Sequence, residues 1–303
     1  MRVVVAATAE VAIPTLEWLR NSDHDLLRVV TTPDSRVGRG KVLTESPIAR
    51  WADLYSISKL KPITKDEMYQ AFEGADLVIA IAYGRILTAD VLSIPKFGFI
   101  NLHFSLLPSY RGAAPVQRAI QNGEVTTGIS IFKIDANLDT GPIYLQEQYE
   151  ISPKATSSEV LKDLAEQGAK AFPRVLADIE KGIQPLPQSS ELVSLAPKIS
   201  KAEARINWNM SAKIISNLVR AFSPVPGAWT TYQGLNLKIG EIAPVSESIT
   251  LNPGQIHIDG KKLLVGTLDS PVEVVKITPA GKKEMATVDW LNGTRILSGD
   301  FFE

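Results

Sequence analysis

The chain has no cysteine among its 303 residues. Disulfides, thiolate zinc sites and cysteine nucleophiles are thereby excluded together. Histidine is scarce too: His24, His103 and His257 lie far apart, and none has the His-Glu-x-x-His spacing of a helical metal site. No metal site is expected. No stretch reaches about 18 consecutive apolar residues, so no membrane span and no membrane partner are expected. The opening segment MRVVVAATAE has neither the long apolar core of a signal peptide nor the Arg/Ser-rich look of a transit peptide. A cytoplasmic protein is expected. The net charge of -1 announces no nucleic-acid partner, although a basic face on one domain can vanish in such a sum.

Glycine is missing where a dinucleotide fold needs it. The first strand–helix turn reads AATAEVA (6–12), without the Gly-x-Gly-x-x-Gly that lets backbone approach a pyrophosphate. GRGK (38–41) looks like part of a phosphate loop, but Ser35 replaces its first glycine and Val42 its metal-binding hydroxyl. No Gly-x-Ser-x-Gly elbow is present, which disfavours an α/β-hydrolase.

What is present is a chain 45% hydrophobic and 21% charged, long enough for two domains. Its first half alternates strand-like and helix-like segments. Apolar runs at 3–7, 26–31, 76–83, 98–104 and 129–134 read as strands, and 11–19, 47–57, 114–120 and 157–179 as helices, the last broken near Pro173. The expected fold is α/β, a Rossmann-like domain with a mostly parallel sheet, over residues 1–183. A Pro/Ser-rich stretch then reads as a surface connection, and 184–208 as a linker. An amphipathic helix with Ile214, Ile215, Leu218, Val219 and Phe222 follows, and then five short strands separated by Gly-rich turns. Residues 209–303 are therefore expected to form a small OB-like β-barrel.

The chemistry concentrates in FINLHFSLLPSYRGAAP (99–115). Strand alternation puts Asn101 and His103 on one face and Leu102 on the other. A third partner is expected in IDANLDTGP (134–142), from Asp135 or Asp139. Such a set suits acyl transfer without a covalent enzyme intermediate. Asn can donate to a developing oxyanion, His can shuttle a proton, and Asp can orient the His. A lone Asn or Asp near a turn more often caps local backbone. The loop 35–44 carries only positive charge, Arg36, Arg39 and Lys41, as a phosphate-contacting loop would.

INLHFSLLPSYRGAAPVQRAI (100–120) followed by TTGISIFKIDANLDTGPIY (126–144) resembles the signature of the folate-dependent formyltransferases. Members of that family act on glycinamide ribonucleotide, amino sugars, water or methionyl-tRNA. The narrower features here favour the last: YRGAAPVQRAI, AYGRIL (82–87), TTPDSRVGRGK (31–41), KISKAEARINW (198–208) with FSPVPGAW (222–229), and PAGKKEM (279–285). The resemblance runs over almost the whole chain and implies a catalytic Asn101, His103 and Asp139. It implies that 10-formyltetrahydrofolate lies along Ser105, Leu106, Leu107 and Pro108, with Arg85, Ile86 and Leu87 around its pterin. Arg39, with Lys41 beside it, would engage initiator methionyl-tRNA. The methionyl amine would attack the formyl carbon while Asn101 and a protonated His103 stabilise the oxyanion. Ala7, Ala9 and Phe104 depart from the residues common in the family. The barrel region is neutral, with nine Lys and Arg against nine Asp and Glu, so tRNA binding there is implied by the resemblance alone. An amino-sugar formyltransferase, a formyl-folate hydrolase and an idle folate- or RNA-binding protein are the rival readings. A monomer is the default expectation.

Overall fold

The computed structural model describes residues 1–37, 42–245 and 249–303. Two compact units are distinguished. One holds Met1–Pro115, Thr126–Glu150 and Leu161–Pro197; the other holds Val116–Val125, Ile151–Val160 and Lys198–Glu303.

The first unit is built on β1 (Arg2–Ala7), β2 (Asp25–Val30), a ribbon of β3 (Ser35–Val37) and β4 (Val42–Thr44), β5 (Lys59–Leu60), β6 (Leu77–Ile81), β7 (Phe99–His103), β8 (Thr126–Lys133) and β9 (Ile143–Glu150). Apart from the ribbon these strands form one sheet in the order β5-β2-β1-β6-β7-β8-β9. The first five run parallel, while β8 and β9 are antiparallel. The chain starts at β1, builds outward through β2 and β5, then crosses to β6 and β7 on the other side. Ligands of open α/β sheets favour the carboxyl-end crevice beside such a reversal. Residues 77–81 of β6 are all buried, which is why that strand reads as an unbroken apolar run.

Five short helices precede the longest one. They are α1 (Ile13–Arg20), α2 (Pro47–Leu54), α3 (Lys65–Phe72), α4 (Ala89–Leu92) and α5 (Pro115–Gln121). Ser46 caps α2 by accepting from the Ala49 amide, with Pro47 at the first helical position. Thr64 and Glu67 form a reciprocal capping box on α3, a helix that hydrophobic periodicity did not reveal. The longest helix, α6 (Ser157–Glu180), runs unbroken through Pro173, against the expected break. An internal proline costs about 3 kcal/mol. The burial of Val160, Leu164, Phe172, Val175, Leu176 and Ile179, at about 1.5 to 3 kcal/mol each, offsets it. Gly168 lets this helix approach the sheet: a Cβ there would stand 2.4 Å from Leu102 Cδ2.

The second unit contains α7 (Ala212–Ala221), β10 (Trp229–Tyr232), β11 (Leu235–Pro244), β12 (Ile256–Asp259), β13 (Lys262–Val265), β14 (Val272–Pro279), β15 (Met285–Ala286) and α8 (Thr287–Gly293). Its antiparallel order is β10-β11-β14-β13-β12, with β15 on β14, so the five expected strands gain a short sixth. Segment 299–303 lies between the two outer strands. Glu303 exchanges backbone hydrogen bonds with Thr231 of β10 (3.0 and 3.2 Å), and Ile256 of β12 donates to Asp300 O (2.7 Å). Both edges are thus covered, giving a small barrel-like domain. Ile215 and Val219 of α7 reach its core beside Trp208, Tyr232, Trp290 and Phe302; Ile214 stays half exposed.

Candidate active site

Asn101 and His103 sit at the carboxyl end of β7, the last parallel strand. Asn101 is in register with Ala80 of β6 and Phe132 of β8, and His103 with Ser130 of β8. Between them Leu102 is buried beneath α6 at Gly168, so the alternation predicted from sequence is realised. Among the described residues none hydrogen-bonds the Asn101 side chain, which is partly exposed. A two-donor amide is therefore left open to a ligand.

His103 is buried, and its ring meets the Phe132 ring edge to face at 6.4 Å. Nε2 lies 2.9 Å from Tyr110 O. A carbonyl can only accept, so Nε2 carries a hydrogen and Nδ1 is the nitrogen turned toward Asp139. Asp139 Oδ2 stands 3.8 Å from Nδ1, close enough for charge interaction but long for a hydrogen bond. The same oxygen accepts from the Gly112 amide at 2.7 Å. Burial pushes the His103 imidazole down from its ordinary value; the Asp139 charge and the Tyr110 hydrogen bond oppose that shift without reversing it. Loss of water around the ring thus works against the protonated His103 that the resemblance implies, and the Asp139 charge works for it.

Of the two candidate aspartates, Asp135 is the local cap. It accepts from the Asn137 amide at 3.0 Å and from Thr140 Oγ1 at 2.7 Å, tying the loop to itself. Asp139 projects from the same loop with φ 51°, a left-handed conformation costly for a residue with a Cβ. Gly141, two residues on, is obligatory, since a Cβ there would meet Lys133 O at 1.7 Å.

The turn after His103 is organised from within. Ser105 is buried and donates to Ser109 O (2.6 Å), and Ser130 Oγ donates to Ser105 O (2.7 Å) while accepting from the Leu107 amide (3.0 Å). Gln146 Nε2 donates to Leu107 O at 2.8 Å. Leu107 and Phe104 are buried, so only Leu106 and Pro108 of the 105–108 turn offer partly exposed side chains. On the neighbouring strand end, Arg85 is held by Pro62 O and Ile63 O, Leu87 is partly buried, and Ile86 is 92% exposed. Arg39 and Lys41 lie outside the described residues. The described ribbon of β3 and β4 is anchored at both ends: Lys61 Nζ reaches Asp34 Oδ1 (2.5 Å) before β3 and Glu45 Oε1 (2.6 Å) after β4. Among the described residues no cluster of three or more His, Asp or Glu is placed to hold a metal ion.

Comparison with known proteins gives this geometry its context. The profile described as formyl transferase matches residues 1–176, and that of the formyl transferase C-terminal domain matches 198–295. The chain belongs to the formyl transferase family. It is 42% identical over 307 residues to the methionyl-tRNA formyltransferase of Thermobifida fusca, covering 100% of this chain and 99% of that one. It is 41% identical over 305 residues to that of Salinispora tropica, covering 99% of each. An N-formyltransferase from Helicobacter canadensis, solved with folinic acid and dTDP-3-aminofucose, shares the fold at TM-score 0.69 and 20% identity over 90% of this chain and 98% of its own. For a formyl transferase whose matched domains end at 176 and resume at 198, one site residue is unexpected. Gln188, in the stretch read as a linker, donates to Asp139 O (2.8 Å) and Gly141 O (2.9 Å) and accepts from Arg111 Nη2 (2.6 Å). No periodicity or motif marks it in the sequence.

Proposed function

We infer that the chain transfers the formyl group of 10-formyltetrahydrofolate to the α-amino group of methionyl initiator tRNA, producing N-formylmethionyl-tRNA. The observation that carries this reading is 42% identity over the full chain to a methionyl-tRNA formyltransferase. When bound, the folate supplies an activated formyl carbon. Arg85 to Leu87 and Ser105 to Pro108 would hold it, and the exposed Ile86 with the partly exposed Leu106 offers apolar contact to the face of a flat ring. Asn101 is assigned the developing charge on the formyl oxygen, because its amide has no partner among the described residues.

His103 is assigned the proton. Its Nε2–H is committed to Tyr110 O, which leaves the Nδ1 lone pair to receive a proton from the attacking amine. An α-amino group has a pKa of about 7.7 to 8.0, so a neutral fraction is available near pH 7. Asp139 stabilises the imidazolium formed as Nδ1 fills, and the proton is then returned to the departing folate nitrogen. One C–N bond forms, one breaks, and the proton ends on the leaving group. Arg39 and Lys41 are assigned to the tRNA, as is the barrel domain. The assigned ranges are 1–183 for catalysis, 184–208 for connection and 209–303 for the barrel. Cytoplasm is the compartment this substrate implies, and a monomer is the proposed form.

The test combines purified protein, 10-formyltetrahydrofolate and charged initiator tRNA and measures formyl-methionine. Formyl transfer only to water or to an amino-sugar nucleotide overturns the reading. Arg39→Ala should raise KM for tRNA more than for folate, and equal losses would remove the loop from the tRNA site.

A further inference from the structure

Residues 186–196 run beside both loops that carry the polar contacts of His103 and Asp139. Leu186 and Ile143 exchange backbone hydrogen bonds at 2.7 and 2.9 Å, adding the segment to the start of β9. Gln188 then spans three points: Asp139 O, Gly141 O and the guanidinium of Arg111, whose Nε and Nη2 donate at 3.2 and 2.6 Å. Farther along, Ser109 Oγ donates to Leu192 O (3.0 Å) and the Tyr110 amide to Ser194 Oγ (2.9 Å). The Arg111 amide donates to Ser194 O (2.9 Å), and the Ala196 amide to Arg111 O (2.6 Å). Gly112 fits only because it lacks a Cβ, which would stand 2.7 Å from Ala196 O.

The residues held this way are the ones that touch the catalytic pair. Tyr110 offers its carbonyl to His103, and the Gly112 amide donates to Asp139. Tyr110 and Asp139 both have left-handed backbones, φ 63° and 51°, which relax unless the surroundings over-determine them. Resting on the site assignment above, we propose that 186–196 is a strap that sets the His103–Asp139 geometry, with Gln188 and Ser194 as its positioning residues. It carries no group to the substrate. Its effect is on where Nδ1 and the carboxylate stand.

The test uses the full-length enzyme. Gln188→Met keeps the bulk and removes all four hydrogen bonds; Ser194→Ala removes one atom and carries the test if the first variant fails to fold. Both should lower kcat roughly tenfold to a hundredfold while each KM stays within about threefold, because orientation and not binding is lost. Both should also move the His103 inflection of the kcat–pH profile to lower pH. Loosened Asp139 and Tyr110 no longer favour the charged ring, and a purely stabilising role would leave that inflection in place. A folded variant with wild-type kcat and an unmoved inflection overturns the strap. His103→Ala is the parallel control: if it leaves transfer intact, the site assignment itself falls, and the strap with it.

Discussion

His103 and Asp139 are neighbours without a hydrogen bond, and the 3.8 Å between them decides how each should respond to change. Asn101→Ala is expected to lower kcat by about 10²- to 10³-fold in the formyl-methionine assay, the usual cost of a lost oxyanion donor. Asp139→Asn removes the charge that favours the imidazolium, so the His103 inflection should fall to lower pH while kcat drops. The same burial has a stability consequence. His103 is pushed below its ordinary value in the fold, so the unfolded chain binds the extra proton first. Stability from this group is full above about pH 6.5 and declines as pH falls toward the folded value. Urea midpoints at pH 7.5 and 5.5 should therefore differ less for His103→Asn than for the wild type.

At the scale of elements, the strand β7 pairs with β6 and β8 and is covered by α6 at Gly168. Gly168→Ala would push a methyl into Leu102, and about 1 to 3 kcal/mol of stability should be lost in denaturant titration. Leu102→Ala in that background should cost less than it does alone, since the two changes share one space. The ribbon gives a separate prediction. Lys61→Met releases Asp34 and leaves Glu45 its pair with Lys59 alone, and KM for tRNA should rise roughly three- to tenfold with KM for folate unchanged, in keeping with a pair worth ~1 kcal/mol.

The sequence was most legible where one physical constraint dominated. The fully buried β6 and the Asn101–Leu102–His103 alternation could be read directly. Strand β9 could not, because it is an edge whose outer side chains are charged or polar. The short helix α3 shows little apolar spacing, yet Thr64 and Glu67 mark its start. Spacing did not separate Asp135 from Asp139; backbone contacts within the loop do. Gln188 was hidden for a different reason. Its importance lies in main-chain carbonyls more than 40 residues away, and its Pro/Ser-rich surroundings read as a connection.

For the whole molecule, the barrel depends on a late segment of chain. Phe302 is buried, stacks on Trp208 at 5.9 Å and meets the Tyr232 ring edge at 6.1 Å. Phe302→Ala should destabilise the second unit by about 3 to 5 kcal/mol, seen as an earlier tryptophan fluorescence transition.

The strap also bears on how members of this family can be recombined. Between the two matched domains lies a stretch, 177–197, that either half could be thought to donate. A chimaera joined at 177 would bring a foreign Gln188 and Ser194 counterpart to loops they did not evolve with. A junction at 198 keeps each hydrogen bond of 186–196 with its own Tyr110, Arg111 and Asp139, and is where a graft of the C-terminal domain should be cut.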